Sequence, residues 1–270
     1  MSEIIAVSSK SVSGVAEWAD HSVNIQIGCE HDCKYCYAKS MSVHYGRSTP
    51  ESWATPCVNQ KKVMKGYRKR EGRIMFPTSH DITPSNLDDC LTVLGKLAES
   101  GNDLLIVSKP HLVCIKAVCE ELRDYKDQVT FRFTIGSSDD VILKFWEPNA
   151  PKFRERLDSL IWAHKQGFAT SVSCEPMLDV HIDRVIHAVR PYVSDTIWLG
   201  RVNNFRQAIG MNCPDDAVTK AKAEELLAGQ TDDFLRGLYN QFKADPKMRF
   251  KDSIKKVVGI ERPTVSGLDV

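Results

Sequence analysis

The sequence predicts an α/β fold in which parallel β-strands alternate with helices. Short, almost continuously apolar runs recur along the chain, separated by segments with helical spacing of apolar residues. This is the pattern of strands that helices cover on both faces. The chain has 270 residues, a length that α/β barrels reach as one domain. No Gly-x-Gly-x-x-Gly or Walker sequence opens a helix, so a nucleotide-phosphate fold is disfavoured.

Six apolar runs are predicted as strands, and amphipathic segments between them as helices. The helix over 85–100 begins at Ser85, a good N-cap residue, and Gly101 ends it. The predicted strands cover residues 22–27, 73–79, 103–109, 129–136, 168–176 and 195–200. The other predicted helices cover residues 37–46, 111–124, 152–166 and 181–192.

The pattern changes near residue 205, where charged helical sequence replaces the alternation of strands and helices. We predict helices within 215–245, a short basic helix over 247–259, and a frayed end in the last seven residues. The chain is therefore divided into a barrel of residues 1–204 and a helical extension of residues 205–270 that packs on it.

Composition excludes several classes of protein. The chain is 42% hydrophobic and 26% charged, with a formal net charge of +1, so overall charge favours neither nucleic acid nor a membrane as partner. No apolar run approaches the ~18 residues of a membrane span, and the N-terminus does not resemble a secretory signal. We therefore predict a cytoplasmic protein whose nine cysteines are reduced thiols.

Three of these cysteines lie within eight residues, directly after the first predicted strand. Cys29, Cys33 and Cys36 supply three thiolates to one tight loop, enough to hold three irons of a cubane cluster. The fourth iron then has no protein ligand, and an open iron indicates chemistry rather than electron storage. The alternative is zinc with His31 as fourth ligand, but that histidine lies between two of the cysteines, where joint coordination is cramped.

The spacing Cys-x3-Cys-x-aromatic-Cys, with Tyr35 in the aromatic place, resembles the signature of the radical S-adenosylmethionine superfamily. The resemblance implies a [4Fe–4S] cluster whose open iron binds S-adenosylmethionine. The reduced cluster cleaves that cofactor to a 5′-deoxyadenosyl radical, which abstracts hydrogen from a substrate. The usual fold of the family is a partial parallel (β/α)6 TIM-like barrel, which agrees with six predicted strands. We therefore predict that fold, with a helical C-terminal extension.

Within this superfamily, residues 22–200 resemble the spore photoproduct lyase-like branch. Tyrosines flank the last cysteine as in that branch, and the segment over 147–167 resembles its "EP-x-AP…R-L" helix. The resemblance implies contacts to S-adenosylmethionine from residues after strands two, three and four. The alternatives are a turn or cap role for each serine and a solvated loop position for the lysine. The implied cofactor-binding residues are Tyr35, Tyr37, Ser79, Asp81, Ser108, Lys109 and Ser137.

One departure from the branch concerns its best-known reaction. Spore photoproduct lyase carries a hydrogen-donating cysteine shortly before the serine of the second-strand segment, whereas Pro77 and Thr78 precede Ser79 here. Thymine-dimer repair loses its radical quencher without that thiol. The resemblance therefore implies a relative with another substrate, such as a queuine-lyase-like or phage-associated enzyme.

Candidate catalytic residues follow the second and fifth predicted strands. Cys174 and Glu175 are adjacent on a strand, so they point to opposite faces, and we expect Glu175 to face the interior and Cys174 the core. His80 is an acid–base candidate by position, with a hydrogen-bonded loop histidine as the alternative. The polar residues after strand six, which could contact a substrate ring or simply form a polar loop, are Arg201, Asn203 and Asn204.

The segment 61–73 carries seven Lys or Arg residues and one Glu, with Tyr67 among them. We expect it beside the cysteine loop, where it would bind a phosphate backbone or an acidic electron donor of the flavodoxin or ferredoxin type, or form a solvated helix face.

The function predicted is a radical lyase acting on a small nucleobase-like molecule, as in deazaguanine or queuine salvage. The alternative is repair or modification of nucleic acid, which requires the basic segment to line the barrel mouth. A non-catalytic protein that retains a metal knot is a third hypothesis, disfavoured by the polar strand ends.

Overall fold

The computed structural model describes residues 11–202 and 204–267. Its main sheet has seven parallel strands in the order β1-β4-β5-β6-β7-β8-β9. Each strand lies beside the next along the chain, so every crossover moves in the same direction, as in the wall of a (β/α) barrel. The strands are β1 His21–Ser22, β2 Gln26–Ile27, β3 Cys57–Val58, β4 Arg73–Phe76, β5 Asp103–Ser108, β6 Val129–Thr134, β7 Ala169–Cys174, β8 Ile197–Leu199 and β9 Met248–Phe250.

Helices connect these strands and cover the outside of the sheet. In the part of the chain that the structure describes, the α-helices are α1 Tyr37–His44, α2 Gln60–Met64, α3 Leu87–Glu99, α4 Leu112–Glu121, α5 Asp140–Trp146, α6 Phe153–Lys165, α7 Ile182–Val189, α8 Phe205–Asn212, α9 Ala217–Gly229, α10 Asp232–Phe242 and α11 Asp252–Val258. No helix of the described residues is long and apolar enough to cross a membrane.

The first predicted strand, 22–27, is in fact two short strands in different sheets. Strand β1 pairs in parallel with β4, whereas β2 pairs antiparallel with β3 outside the main sheet. Between them, the side chain of Asn24 accepts hydrogen bonds from the backbone N–H groups of Thr78 at 2.7 Å and Ser79 at 2.9 Å. The chain therefore leaves the main sheet here, because Asn24 is bonded to the loop after β4.

The predicted basic helix over 247–259 is wrong in its first residues. Met248 and Phe250 are buried and Arg249 is half-buried, which is the period-two pattern of a strand. This strand, β9, pairs in parallel with β8, and α11 follows it. The partial barrel is confirmed, but the C-terminal extension adds a seventh strand to the six predicted. The predicted fraying of the last seven residues falls partly on residues 268–270, which lie outside the described residues.

Alternate residues of the strands face opposite sides of the sheet. On the outer side, residues such as Phe131 and Phe133 form one large apolar core with the helices. On the inner side, Trp18 and Trp198 fill the barrel, with ring centroids 5.7 Å apart in an edge-to-face arrangement. The guanidinium carbon of Arg132, a buried residue in the middle of β6, lies 4.8 Å from the Trp18 ring centroid. The barrel interior is thus packed, which leaves the carboxyl ends of the strands to form a site.

A short N-terminal 3-10 helix, Gly14–Glu17, is bound to the segment that follows β9, although β1 and β9 are the two edges of the sheet. Lys251 follows β9, and its Nζ lies 2.8 Å from Oε1 of Glu17 and donates to the carbonyl oxygen of Gly14 at 2.9 Å. The backbone N–H of Asp252 also donates to Glu17. Both ends of the open barrel are therefore linked through one buried carboxylate.

Candidate active site

The cysteine loop, residues 28–36, joins β2 to α1 at the carboxyl-end side of the sheet. Gly28 has φ +94°, and a side chain on it would collide with the Trp53 carbonyl oxygen at 2.7 Å. Cys29 and Cys33 are buried, while Cys36 is the N-cap of α1 and its Sγ accepts from the Lys39 N–H at 3.4 Å. The tight turn therefore brings three cysteines to one place, as the sequence predicts.

Electrostatics at this loop suit a positively charged metal cluster. Burial raises the pKa of Cys29 to about 12, and burial also raises the pKa of Cys33 and of Cys36. The charge of Cys36 contributes to the raised pKa of both other thiols. Buried thiols of this kind ionise when nearby cations offset the negative charge, and the irons of a cubane cluster supply such cations. Three thiolates bind three irons, so the fourth iron remains for another ligand.

Asp81, predicted to contact S-adenosylmethionine, is bonded to two neighbouring segments. Its carboxylate lies 2.8 Å from Nδ1 of His31, accepts from the Lys109 N–H at 2.8 Å, and accepts from the Ser108 hydroxyl at 3.1 Å. Although burial opposes ionisation, Lys109 and His31 hold the pKa of Asp81 well below its ordinary value. The carboxylate therefore ties the cysteine loop to the ends of β4 and β5.

The geometry of the site agrees only in part with the alternative of a zinc site that uses His31. One ligand atom each from Cys29, His31 and Asp81 lies within 4.8 Å of the others. However, Nδ1 of His31 faces Asp81, and its Nε2 lies 2.9 Å from Nε2 of His111. Both ring nitrogens of His31 therefore already have side-chain partners. One of these partners, His111, was not among the predicted site residues.

Tyr35 and Lys109 lie together beside the cysteines. The Tyr35 hydroxyl donates to Glu147, and the same carboxylate is paired with Arg156; all three side chains are at least half-buried. Lys109 Nζ lies 5.9 Å from the Tyr35 ring centroid and 3.5 Å from Asp81 Oδ2. Sequence reasoning did not assign roles to Glu147 and Arg156, although both fall in the segment 147–167 that resembles the branch.

The predicted serines differ in what they contact. Ser137 is fully buried, donates to Asp179 and accepts from the Asp139 N–H at 3.0 Å, which is the turn role named as its alternative. Ser108 accepts from Ile82 besides donating to Asp81.

Ser79 and Tyr37 lie at the loop after β4. Ser79 is half-buried and its backbone N–H is bonded to Asn24. Tyr37 is largely exposed and donates to the carbonyl oxygen of Thr78. Of the predicted serines, Ser79 is therefore the most exposed. It lies at the barrel opening, which is the side of the sheet where the carboxyl ends of the strands meet.

Cys174 and Glu175 point in opposite directions, as predicted. Cys174 is fully buried in the core between sheet and helices, where burial raises its pKa, so its surroundings do not support the predicted catalytic role. The Glu175 side chain is 17% exposed, and its Oε2 lies 3.5 Å from Lys251 Nζ. Burial raises the pKa of Glu175, while Lys251 opposes that rise. Lys251 was missed because its segment was predicted as a helix.

The predicted acid–base role of His80 is not supported by its surroundings. Its Nε2 accepts from the backbone N–H of Ile25 at 3.2 Å, so Nδ1 carries the proton and donates to the Asp81 carbonyl oxygen at 3.1 Å. Burial lowers its pKa to about 4. This neutral, buried histidine holds the backbone, which is the alternative weighed from the sequence.

Of the three predicted substrate residues after β8, the structure describes Arg201 and Asn204. Arg201 is half-exposed, and its guanidinium lies 3.8 Å from Asp232. Asn204 is exposed with φ +51° and serves as the N-cap residue of α8. Asn203 lies outside the described residues.

Only the second half of the basic segment lies away from the cysteine loop. In the first half, Lys62 Nζ donates to the Asn24 carbonyl oxygen at 3.0 Å, close to β2, which leads into that loop. The Arg70 N–H donates to the Asn102 side chain at 2.9 Å, and Arg73 pairs with Asp103 at 3.2 Å. Asp103 is the first residue of β5, so residues 68–73 lie at the amino ends of the strands. The cysteine loop lies at the opposite ends, beside Asp81 and Lys109.

Comparisons with known proteins agree with this site. Residues 23–189 match the Radical SAM superfamily. The chain is 23% identical over 209 residues to an uncharacterized protein, MJ0683, of Methanocaldococcus jannaschii, covering 73% of this chain and 78% of that protein. It is 24% identical over 172 residues to an uncharacterized protein, ORF301, of Acidianus two-tailed virus, covering 59% of this chain and 56% of that protein.

Two solved structures share the fold. A spore photoproduct lyase double mutant with bound AdoMet and dinucleoside spore photoproduct matches with a TM-score of 0.56 and 16% identity, covering 91% of this chain and 79% of that chain. SuiB of Streptococcus suis bound to S-adenosylmethionine matches with a TM-score of 0.54 and 10% identity, covering 92% of this chain but 54% of that chain.

The chain belongs to the radical SAM superfamily. Its cofactors are accordingly a [4Fe–4S] cluster and S-adenosylmethionine, and the buried three-thiol loop fits that cluster. The protein is an enzyme that requires a reductant. Spore photoproduct lyase, the enzyme whose branch the sequence resembles, shares the fold of this chain.

Proposed function

We propose that this enzyme is a radical lyase that cleaves a C–C or C–N bond of a small nucleobase-like molecule, as in deazaguanine or queuine salvage. The observation that carries the proposal is Glu175. Its carboxylate follows β7, lies on the inner side of the sheet, and is partly exposed. An inward carboxylate at the carboxyl end of a barrel strand is suited to accept N–H groups of a polar ring.

In this proposal Cys29, Cys33 and Cys36 hold the cluster. When bound and reduced, the cluster and S-adenosylmethionine supply a 5′-deoxyadenosyl radical that abstracts hydrogen from the substrate. Lys109 and the half-buried Ser79 face the cofactor, because both lie at strand ends next to the cysteine loop. Asp81 orients Lys109 by accepting its backbone N–H.

Glu175 binds and orients the substrate ring opposite these groups. The Tyr37 hydroxyl, bonded to the carbonyl oxygen of Thr78, restrains the loop after β4 at the same opening. Trp18 and Trp198 fill the barrel and exclude water from below. A radical needs such exclusion, because it reacts with any accessible hydrogen donor.

The alternative, a nucleic-acid repair or modification enzyme, depended on the basic segment 61–73 at the barrel mouth. Residues 68–73 lie at the amino ends of the strands, so four of the seven basic residues of the segment do not line the mouth, which weakens this support. An acidic electron donor of the flavodoxin or ferredoxin type remains our proposal for the reductant, with its docking site elsewhere than residues 68–73. All nine cysteines are free thiols, which suits a reducing, cytoplasmic setting.

The test is an anaerobic assay with reconstituted enzyme, a chemical reductant and S-adenosylmethionine. Formation of 5′-deoxyadenosine is measured with free bases, nucleosides and lesion-bearing oligonucleotides. We expect stimulation above the uncoupled background, together with a cleaved product, from a base or nucleoside. Stimulation by oligonucleotides alone, with binding that weakens steeply as salt rises, would refute the small-molecule proposal.

A further inference from the structure

The carboxyl ends of three neighbouring strands bring one acid, one glycine and one lysine together. Glu175 follows β7, Gly200 follows β8 and Lys251 follows β9. A Cβ atom on Gly200 would lie 2.9 Å from Cγ of Lys251 and 3.0 Å from Cγ of Glu175. Only glycine therefore lets these two side chains approach each other across β8.

Lys251 is almost fully buried, and each of its three N–H donors has an acceptor in reach. Nζ donates to the Gly14 carbonyl oxygen at 2.9 Å, lies 2.8 Å from Glu17 Oε1, and lies 3.5 Å from Glu175 Oε2. The Trp18 ring centroid lies 4.0 Å from the same nitrogen. An ammonium group held from several directions has one orientation, and it presents one donor to Glu175.

The charges at this place do not cancel. Glu17 and Glu175 carry two negative charges against the one positive charge of Lys251. Glu17 is buried and already accepts from backbone N–H groups as well as from Lys251. The remaining negative charge therefore belongs to Glu175 at the opening, which Arg132 and Tyr37 also influence electrostatically.

We propose that Lys251 is a positioning residue that keeps the Glu175 carboxylate ionised and aimed at the barrel opening, where it selects a ring that presents two adjacent N–H donors. The edge of a guanine-like ring that carries the ring N1–H and the neighbouring 2-amino group has this arrangement, and a carboxylate accepts both of these hydrogens side by side. This inference rests on the proposed function and names its substrate class.

Binding of two nucleosides tests the selectivity. Guanosine and inosine differ by the exocyclic amine, which is one of the two donors. Equilibrium dialysis uses the cluster-loaded enzyme with S-adenosylmethionine and no reductant. We expect guanosine to bind about 10-fold or more tightly than inosine, because a hydrogen bond to a charged group is involved. Glu175→Gln and Lys251→Met should abolish the preference. Lys256→Met, an exposed lysine of α11, should retain it.

A second measurement does not depend on any substrate. The titration of Glu175 is followed by carbon-13 NMR of glutamate-labelled, cluster-loaded enzyme, with the signal assigned by its loss in Glu175→Gln. Lys251→Met should raise the midpoint by about 1–3 pH units, the usual effect of an opposite charge at this separation. The double variant Glu17→Gln/Lys251→Met, which leaves less unpaired buried charge, should show the same rise.

An unchanged midpoint in both Lys251 variants, or equal binding of guanosine and inosine to the wild-type enzyme, would overturn the inference. These results differ from failure of the proposed function. That failure would appear as no 5′-deoxyadenosine stimulation by any base or nucleoside, whatever the titration of Glu175 shows.

Discussion

Asn212 links the C-terminal extension to the cysteine loop. It is the last residue of α8 and is buried. Its side-chain amide donates to the backbone carbonyl oxygens of Lys34 and Cys36, both at 2.9 Å. Asn212→Ala removes both hydrogen bonds at once and changes no cluster ligand. We expect the cysteine loop to loosen at its third cysteine.

The magnitude follows from the two bonds. Each is worth ~1 kcal/mol, so the loss in unfolding free energy should be about 2 kcal/mol, and more if the carbonyl oxygens find no water. Because Cys36 is one of the released residues, iron should also leave the cluster faster. The assays are anaerobic urea unfolding and the rate of iron transfer to a chelator in the absence of denaturant.

Asn240→Ala is the matched control, since Asn240 is exposed on α10 and its side-chain oxygen accepts from the surface residue Lys243. We expect little change in stability and none in iron release for this variant. If Asn212→Ala and Asn240→Ala release iron at the same rate, the α8 contact does not support the cluster and the reasoning fails.

Three further predictions follow from the site. Cys33→Ala should prevent loading of about four irons per chain, measured by iron and sulfide analysis, whereas Cys57→Ala, an exposed thiol, should load normally; stoichiometric zinc in the wild-type protein would contradict the assignment. Glu147→Gln breaks a fully buried ion pair and should lower the unfolding free energy by about 3–5 kcal/mol, whereas Glu224→Gln in an exposed pair should change it little; equal effects would contradict this. Burial lowers the pKa of His80 to about 4 in the folded protein, against an ordinary 6.5. Between these values the unfolded chain binds a proton that the folded protein does not, so the free energy of unfolding should fall as pH drops from about 6.5 to 4. If His80→Gln shows the same pH dependence in urea unfolding, this histidine is not responsible.

Much of the fold follows from local sequence. Strands β5 and β6 and helices α3 and α6 lie within a few residues of their predicted bounds. The two strands are short apolar runs, and the two helices have apolar residues at helical spacing. Strand β9 was missed because three residues of alternating burial inside a lysine-rich segment resemble the start of a helix. Pairing with β8 determines its structure, and pairing is a long-range property.

The candidate site shows the same division. Glu175 and Cys174 were placed on opposite faces by strand alternation, which is local. His80 and Ser137 were given roles at the opening, but their hydrogen bonds to Ile25 and Asp179 occupy them in loop structure. Those partners are distant in sequence, so spacing alone does not reveal them.

Residues 68–73 of the basic segment show most clearly that residues near each other in the sequence can lie far apart in the fold. Residues 61–73 come soon after the cysteine loop, yet residues 68–73 lie at the opposite ends of the strands. A parallel strand must begin where the preceding segment returns to the amino end of the sheet. Since β4 starts at Arg73, the residues just before it lie at that end.

By itself, the sequence determined the alternation of strands and helices and the cofactor chemistry, because three cysteines in one short loop need no distant partner to form a cluster site. Only the tertiary structure decided that Lys251 meets Glu175 across Gly200 and that α8 holds the cysteine loop. Those contacts join residues 25 to 178 positions apart, as for Glu175 with Gly200 and Lys34 with Asn212. Side chains so far apart along the chain are brought together by pairing of neighbouring strands and by packing of α8 on the cysteine loop, which no local pattern encodes.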